Sequence, residues 1–304
     1  MSFQVTILGC SSATPTIDRN PTAQYLTIQD RHFLIDCGEG TQMQLRKFKI
    51  KFNKISHVFI SHLHGDHYFG LMGFLSSLHL LGRTTEMHLH CPEALKEILE
   101  LQFKHSDTRL RYPLIYHFTN TLNAELIFED DVLTVETIVL NHRVPCTGFI
   151  FKEKPKLLSV IKEKIAFYKI KPSEILKIKE GANFVAEDGK IIENTFLTHP
   201  PANLRSYAFC SDTTYLQSVI EAVKNVDLLY HEATFMHNLK ERATETYHST
   251  CKEAGMVAQK ANVKQLIIGH YSARYGDLNP LLQEAQQEFA NTLLAKEGTV
   301  YSVE

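Results

Sequence analysis

The feature that most constrains the fold of this chain is the run Ser61-His62-Leu63-His64-Gly65-Asp66-His67, which ends a short apolar stretch at residues 57–61. Three imidazoles and one carboxylate within six residues supply the neutral nitrogens and hard oxygens that divalent metals bind. In extended backbone, His62 and His64 point to the same side, whereas Asp66 and His67 can turn toward a second centre. We therefore predict a buried strand at residues 57–61 that ends in a metal-binding cluster, and this one cluster can serve two metal ions.

The composition predicts a globular protein without a membrane segment. A chain of 304 residues with 44% hydrophobic residues can form one large domain or two ordinary ones around a buried core. The formal net charge of -2 excludes a globally basic nucleic-acid coat protein, so a polyanionic partner requires a local basic patch. No apolar run approaches the length of a membrane span, and the N-terminus lacks the apolar stretch of a signal peptide. The six cysteines are dispersed without C-x-x-C spacing, as is typical of a reducing compartment, and we expect a cytoplasmic protein.

Short apolar runs and amphipathic stretches alternate along the chain, which predicts an α/β fold with helices on the faces of sheets. We predict strands at residues 3–9, 24–28, 33–37, 57–61, 126–128, 132–140, 206–210, 228–231 and 265–269. We predict helices at residues 41–50, 68–81, after Pro92, 215–223, 250–261 and 280–294. Residues 151–180 carry nine lysines and four acidic residues, with Pro155 and Pro172 as helix breakers. Such a segment is poor core material, and we expect it to leave the main globule.

The spacing H-x-H-x-D-H after a strand resembles the signature of the metallo-β-lactamase superfamily. His142, Asp212 and His270 follow apolar runs in the order in which that superfamily supplies its remaining ligands. Four further segments resemble motifs of the ribonuclease Z family: Phe33-Leu34-Ile35-Asp36-Cys37-Gly38-Glu39-Gly40-Thr41-Gln42, His231-Glu232-Ala233-Thr234, His248-Ser249-Thr250 and His270-Tyr271-Ser272-Ala273-Arg274-Tyr275. These motifs extend from the first strand to the last predicted one, so the resemblance covers the whole chain.

This resemblance implies a metallo-β-lactamase-type four-layer αβ/βα sandwich of two mixed sheets flanked by helices. It implies one catalytic domain over residues 1–304, with a lysine-rich arm inserted at about residues 151–200. It also implies a homodimeric, zinc-dependent endoribonuclease that removes the 3′ trailer of precursor tRNA after the discriminator base and leaves a 3′-hydroxyl on the tRNA.

The resemblance also assigns roles to individual residues. It implies that two zinc ions per subunit are bound, one by His62, His64 and His142 and the other by Asp66, His67 and His270, with Asp212 as the bridge. Other divalent metals suit the same donors. Asp66 is the candidate proton acceptor for the attacking water. His248 is the candidate proton donor to the leaving 3′ oxygen, and Glu232 is expected to orient its ring and raise its pKa.

Other titratable residues receive structural assignments. Asp36 either fixes the turn before Gly38 or contacts a ligand histidine, and we favour the turn. Eight histidines have no counterpart in the family pattern, and we expect no functional role for them: His57, His79, His88, His90, His105, His117, His199 and His237.

Two basic segments are candidates for binding precursor tRNA. Residues 46–54 carry five basic side chains and no acid, although a solvated helix face is an equal alternative. The lysines of residues 152–179 resemble in position the arm with which the family binds tRNA, and residues 156–168 are predicted to form an amphipathic arm helix. The chain departs from the bacterial pattern here, because Ile170-Lys171-Pro172-Ser173-Glu174-Ile175 stands where a P-P-G-P motif is usual.

Two alternative functions remain open. Another dinuclear hydrolase of the same fold would act on a small phosphodiester, an aryl sulfate or a lactone, and it would not need the basic segments. A non-catalytic RNA-binding protein would use its metals only for stability, but structural zinc sites are usually closed and four-coordinate. Turnover distinguishes these classes better than metal content does.

Overall fold

The computed structural model describes residues 2–201 and 203–304. The strands of these residues, in chain order, are β1 (Phe3–Gly9), β2 (Ala23–Ile28), β3 (Arg31–Ile35), β4 (His57–Phe59), β5 (Met87–Cys91), β6 (Leu114–Phe118), β7 (Leu126–Glu129), β8 (Leu133–Leu140), β9 (Cys146–Glu153), β10 (Phe184–Val185), β11 (Ile191–Ile192), β12 (Ser206–Cys210), β13 (Leu228–Glu232), β14 (Gln265–Gly269), β15 (Thr292–Leu294) and β16 (Val300–Ser302). They form two mixed sheets of seven strands each and one two-stranded sheet.

Both large sheets contain a block of parallel strands. The first sheet has the order β16-β1-β2-β3-β4-β5-β6, and its strands from β3 to β6 are parallel. The second has the order β15-β14-β13-β12-β9-β8-β7, and its strands from β12 to β15 are parallel. Parallel strands of one sheet present their carboxyl ends at the same edge, where ligand sites of α/β proteins form.

The inner faces of the two large sheets pack through aromatic rings. Ring centroids lie 5.6 Å apart for Phe33 and Phe151, and 5.4 Å apart for Phe59 and Phe149. All four side chains are fully buried. Because large aromatic side chains contribute much of the free energy of burial, this layer holds the two sheets together.

Helices pack on the other faces of the two large sheets. The helices of the described residues, in chain order, are α1 (Thr41–Lys47), α2 (Gly65–Tyr68), α3 (Leu71–Leu80), α4 (Ala94–His105), α5 (Lys162–Phe167), α6 (Pro172–Lys179), α7 (Asn194–Leu197), α8 (Gln217–Ala222), α9 (Lys240–Glu245), α10 (Cys251–Lys260) and α11 (Asn279–Glu288), of which α5, α6 and α7 belong to a second unit. Leu45, Phe74 and Leu95 of α1, α3 and α4 share a core with Val58 and Leu89 of the first sheet. Helix α10 contacts β13 and β14 of the second sheet. The predicted four-layer αβ/βα sandwich is confirmed. Among the described residues, none of the helices combines the length and the apolarity that a membrane span needs.

The lysine-rich segment belongs to a second compact unit, which consists of Asp130–Leu133 and Glu153–Leu204. Five residues form the small core of this unit: Ile170, Ile178, Phe184, Ile192 and Leu197. The side-chain amide of Asn194 donates hydrogen bonds to the carbonyls of Ile178 and Ala182, at 2.7 and 2.8 Å. Residues 151–180, predicted to be poor core material, contribute only Ile170 and Ile178 to this core, and the other three residues lie between positions 184 and 197.

Two predicted helices have different bounds in the structure. The closing helix, predicted at residues 280–294, ends at Glu288, and Thr292–Leu294 instead pair in parallel with β14, because this open sheet edge provides hydrogen bonds that a longer helix would forgo. The arm helix, predicted at residues 156–168, is limited to Lys162–Phe167. Pro172, predicted to break a helix, begins α6, because the first helical turn does not need the missing N–H.

The sequence did not predict seven of the described strands, namely β5, β6, β9, β10, β11, β15 and β16. Strand β5 has histidines at alternating positions, and β6 contains one histidine, His117, which weakens the apolar signal of both strands. Strand β9 contains Gly148, where a Cβ atom would lie 2.4 Å from the carbonyl oxygen of Phe209 on the neighbouring β12. This glycine permits the close approach of the two strands.

Helix α10 begins with a capping box, and its removal tests the local stability of the fold. Thr250 Oγ1 accepts a hydrogen bond from the Glu253 N–H, and Glu253 Oε2 accepts one from the Thr250 N–H. We expect Thr250→Ala to lower the free energy of unfolding by about 1 kcal/mol in urea denaturation. Thr250→Ser, which keeps the hydroxyl, should retain most of the stability, and equal midpoints for Thr250→Ala and the parent protein would contradict this role.

Candidate active site

Each predicted metal ligand lies just beyond the carboxyl end of a strand. The run from His62 to His67 follows β4, and the other three ligands, His142, Asp212 and His270, follow β8, β12 and β14. Asp212 and His270 have positive φ angles of 36° and 58°, which turn the chain sharply at the strand end. The structure brings all seven predicted ligands together.

The first group of donors consists of three imidazole nitrogens and one carboxylate oxygen. His64 Nδ1 lies 3.1 Å from His62 Nε2 and 3.0 Å from His142 Nε2. Asp212 Oδ2 lies 3.6 Å from His62 Nε2 and 3.5 Å from His142 Nε2. Burial lowers the pKa of all three histidines, so the rings are neutral, as metal binding requires.

The second group shares the other oxygen of the same aspartate. Asp212 Oδ1 lies 3.2 Å from both His67 Nε2 and His270 Nε2. Asp66 Oδ2 lies 3.4 Å from the same two nitrogens. Asp212, which is 2% exposed, therefore presents one oxygen to each group, as a bridging carboxylate would.

The surroundings of His67 test whether these residues fit a metal. His67 Nδ1 lies 2.6 Å from Asp36 Oδ2, so Nδ1 carries a proton and Nε2 is the nitrogen that can bind either a second proton or a metal. Nε2 is buried and has no hydrogen-bond partner among the described residues, although two carboxylates face it. Burial opposes a charge on this ring, but the carboxylates of Asp212, Asp66 and Asp36 outweigh burial and raise the pKa of His67 well above its usual range. The site attracts positive charge, and a divalent cation would satisfy the nitrogen and the carboxylates together.

The other ring nitrogen of three further ligands is also held. His62 Nδ1 lies 3.0 Å from Ser61 Oγ, and His142 Nδ1 lies 3.0 Å from the carbonyl oxygen of Tyr247. His270 Nδ1 lies 2.9 Å from Thr234 Oγ1. Such contacts fix the tautomer of each ring and direct its Nε2 toward the candidate metal positions. Asp36 makes the same kind of contact with His67, so the preference for a turn role alone is wrong.

His248 lies beside the two donor groups, next to Glu232. Its Nδ1 lies 2.9 Å from Glu232 Oε1, and its ring centroid lies 5.2 Å from that of His142 and 5.4 Å from that of His270. Burial by itself would lower the pKa of His248, but the carboxylates of Glu232, Asp212 and Asp66 together outweigh burial and raise this pKa to about 9. At neutral pH this imidazole is protonated and can donate a proton. Together with Asp212 and His270 it is also close enough to hold a metal, which is an alternative role.

Glu232 is fixed by residues whose role the sequence did not predict. Its Oε1 accepts a hydrogen bond from the Thr213 N–H at 2.8 Å, and its Oε2 accepts one from Thr234 Oγ1 at 2.7 Å. Thr234, the last residue of the H-E-A-T segment, also contacts His270 Nδ1. It therefore connects the partner of His248 to a candidate ligand. The H-E-A-T motif contains Thr234, but only the structure shows that the hydroxyl of Thr234 contacts both Glu232 and His270.

A cavity of about 520 Å³ opens over this cluster. His64, Asp66, Asp212 and His248 line it. Exposed Phe69 and Arg143 also line it and provide an aromatic and a cationic side chain at the same site. A polar substrate can therefore reach both donor groups and His248.

The contact between Asp36 and His67 leads to a prediction on metal affinity. Asp36→Asn should weaken metal binding roughly 10- to 100-fold, because the amide no longer fixes the tautomer that directs the His67 Nε2 lone pair to the metal. Competition with a chromophoric chelator measures this affinity. The exposed Asp18→Asn is the matched control and should bind metal normally. Unchanged affinity in Asp36→Asn would show that Asp36 serves the turn alone.

Comparisons with known proteins agree with this geometry. Residues 3–157, about half of the chain, match the family model described as anti-Pycsar protein Apyc1. A ribonuclease Z from Phocaeicola vulgatus is 49% identical over 302 residues, which cover 99% of this chain and 98% of that protein.

Two solved structures share the fold. The crystal structure of human tRNase Z, short form, has a TM-score of 0.71 at 24% identity and covers 99% of both chains. The metallo-β-lactamase fold protein YhfI from Bacillus subtilis has a TM-score of 0.70 at 20% identity and covers 99% of this chain and 100% of its own. With a relative this similar over its full length, the chain belongs to the ribonuclease Z family of metallo-β-lactamase fold proteins.

Proposed function

We propose that this protein is a zinc-dependent endoribonuclease that cuts the 3′ trailer from precursor tRNA just after the discriminator base. Hydrolysis adds water to the phosphorus and breaks the P–O3′ bond, which leaves a 3′-hydroxyl on the tRNA and a 5′-phosphate on the trailer. The observation that carries the proposal is the juxtaposition of two donor groups, joined by Asp212, with a protonated His248. Membership of the ribonuclease Z family supports the choice of substrate.

Two zinc ions per subunit are the proposed cofactors, although the same donors accept other divalent metals. When bound, such a pair polarises a phosphoryl oxygen, acidifies the attacking water and stabilises the leaving oxygen. His62, His64 and His142 would hold one ion, Asp66, His67 and His270 the other, and Asp212 both.

Asp66 and His248 are the proposed proton acceptor and donor. Asp66 Oδ2 accepts a hydrogen bond from the Ala13 N–H at 2.7 Å, which fixes this oxygen at the cavity. Because Glu232 holds Nδ1 of His248, the opposite nitrogen, Nε2, is the one that can protonate the leaving 3′ oxygen. The two groups thus divide the acid and base roles by their environments.

Basic side chains supply the proposed contacts with RNA phosphates. The five basic residues of the first segment are exposed, namely Arg46, Lys47, Lys49, Lys51 and Lys54. In the second unit, Lys162, Lys169, Lys171 and Lys177 are exposed. Contacts with phosphates provide sequence-independent affinity and make binding salt-dependent, as recognition of many different tRNAs requires. We propose that the second unit is the inserted tRNA-binding arm of a single catalytic domain. We also propose that the protein is a cytoplasmic homodimer.

The test is incubation of the purified protein with a labelled precursor tRNA that carries a 3′ trailer, with and without a chelator. The expected result is one chelator-sensitive cut directly after the discriminator base, mapped at nucleotide resolution. Scattered cuts, or no cut by a protein that still hydrolyses bis-p-nitrophenyl phosphate, would contradict the proposal. That outcome would favour a dinuclear hydrolase of small phosphodiesters.

Substitution of His248 separates a proton donor from a metal ligand. His248→Ala should lower kcat roughly 10²- to 10⁴-fold and keep both metals, since general acid catalysis contributes an effect of this size. Asp212→Ala should lose metal and activity together. Metal content by elemental analysis and single-turnover rates measure the two effects. Loss of metal from His248→Ala would identify His248 as a ligand.

The raised pKa of His248 predicts a pH dependence. As an acid, His248 supports turnover below its pKa of about 9 and fails as the pH rises through that value. Glu232→Gln removes the charge that raises the pKa, so the alkaline limb of kcat/KM should move toward about pH 6.5, the ordinary value for histidine. The rate at pH 8 should then fall much more than the rate at pH 5.5. Parallel profiles for the variant and the parent would contradict the proposed pairing.

Charge reversal in the second unit tests RNA binding. The triple variant Lys162→Glu, Lys169→Glu and Lys171→Glu should weaken binding of precursor tRNA and flatten its salt dependence, by a slope of roughly 0.7 to 0.9 per lost phosphate contact. Hydrolysis of bis-p-nitrophenyl phosphate should not change. The matched control reverses three exposed lysines outside the second unit, Lys96, Lys104 and Lys224. Equal loss on both substrates would show that these lysines serve stability.

A further inference from the structure

Phe69 is an exposed aromatic residue to which the proposed mechanism gives no role. It directly follows α2, and 64% of its surface is exposed. Single apolar side chains on a protein surface are common and carry no information by themselves. Phe69 differs because it lines the cavity that holds the proposed catalytic groups. Its exposed ring is therefore available to a bound substrate.

The ring of Phe69 is supported on its protein side. A Cβ atom on Gly65 would lie 2.2–2.6 Å from three carbons of this ring, so the ring lies directly against the Gly65 backbone. The Phe69 N–H donates a hydrogen bond to the Gly65 carbonyl at 2.9 Å. The ring of Tyr68, which packs on the core of the first sheet, lies 5.1 Å from the Phe69 ring at an angle of 68°. These contacts hold the ring and leave most of its surface open.

One group of the residues that line the cavity adjoins His248. Glu245 and Thr246 precede His248 closely in the chain. Arg143 directly follows His142, whose ring centroid lies 5.2 Å from that of His248. We call Arg143, Glu245 and Thr246 the His248 wall. Arg143 is exposed, and it is the only lysine or arginine among the described residues that line the cavity.

A second group adjoins Asp66 and includes Phe69. A Cβ atom on Gly38 would lie 2.4 Å from the Asp66 carbonyl oxygen and 2.7 Å from Pro21 Cβ, so three segments of the chain meet here. Glu39, which follows Gly38, and Pro21 both line the cavity. We call Pro21, Glu39 and Phe69 the Asp66 wall. It offers two apolar side chains and one exposed carboxylate.

The proposed acid determines how the RNA lies between the two walls. His248 donates its proton to O3′ of the discriminator nucleotide, so this nucleotide belongs at the His248 wall. There, Arg143 can neutralise the phosphate on the 5′ side of the same nucleotide. The first trailer nucleotide, joined to the scissile phosphorus through O5′, is left with the Asp66 wall. Because Glu39 repels a phosphate and Phe69 offers an aromatic face, this wall suits a base.

We propose that Phe69 stacks on the base of the first trailer nucleotide and thereby positions the scissile phosphate over the two donor groups. The inference rests on the proposed cleavage of precursor tRNA and adds a specificity-determining residue to it. Stacking on an aromatic side chain tolerates every base, because each base has a π-face. One ring therefore serves precursors whose trailers differ in sequence.

The test compares a precursor tRNA with an identical one whose first trailer nucleotide lacks its base. The parent protein should cut the abasic precursor with a kcat/KM lower by roughly 5- to 150-fold, the factor that stacking of one base provides. Phe69→Ala should lose a similar factor on the intact precursor and cut both precursors at nearly equal rates. Phe69→Trp, which keeps an aromatic face, should again distinguish them.

Two controls show whether the effect is local. A precursor that lacks the base of its third trailer nucleotide should be cut by the parent as the intact precursor is. Phe118→Ala removes an exposed ring of β6 outside the cavity and should distinguish the first two precursors as the parent does.

The possible failures are distinguishable. If the parent cuts the intact and abasic precursors equally fast, the stacking proposal is wrong, although the proposed cleavage stands. If Phe69→Ala loses the same factor on both precursors, the ring serves the structure or a subunit contact, and the proposal is again overturned. If the parent does not cut the intact precursor, the proposed function and this inference both fail.

Discussion

The carboxylate of Asp212 is the group on which the rest of the site depends. It lies almost completely buried between two groups of imidazoles and presents one oxygen to each. A buried carboxylate is costly unless it is paired with positive charge. Here four imidazoles turn Nε2 toward it, those of His62, His67, His142 and His270, and divalent cations bound by these nitrogens would compensate its charge. The arrangement therefore favours a metal-loaded protein.

Several contacts outside the donor groups maintain this orientation. Asp36, Ser61, Thr234 and the carbonyl of Tyr247 each contact the second nitrogen of one ligand ring. These partners come from segments far apart in sequence, so the fold has to form before the ligands are directed. Thr234 also contacts Glu232, which fixes His248. The proposed proton donor and a proposed metal ligand are thus positioned by Glu232 at the end of β13 and by Thr234 just after it.

Residues that act locally could be predicted from the sequence, whereas those that act through tertiary contacts could not. The H-x-H-x-D-H run, and the ligands His142, Asp212 and His270 at strand ends, combine a local pattern with a family resemblance. Asp36 and His67 are 31 positions apart in sequence, and no local sequence pattern predicts their contact. The sequence of β15 continues the helical pattern of α11, and only its tertiary pairing with β14 makes it a strand. The core of the second unit is equally invisible in the sequence, because its five apolar residues are spread over residues 170–197 and meet only when this segment folds.

Four histidines of the first sheet show the same limit from the other direction. They are unremarkable in sequence, since each lies on a short strand without a motif: His57, His88, His90 and His117. Parallel pairing of β4, β5 and β6 places them side by side, with ring nitrogens of neighbouring strands at hydrogen-bond distance. Cross-strand neighbours are determined by register, which the sequence of one strand does not contain.

We propose that seven side chains hold two metal ions joined by Asp212, and that His248 binds neither ion and acts as an acid. Anomalous diffraction from crystals of the zinc-loaded protein, collected on both sides of the zinc edge, tests it most directly. We predict two anomalous peaks per subunit at this centre, one on each side of the Asp212 carboxylate, with His248 bound to neither. A single peak, or a peak coordinated by His248, would contradict the account.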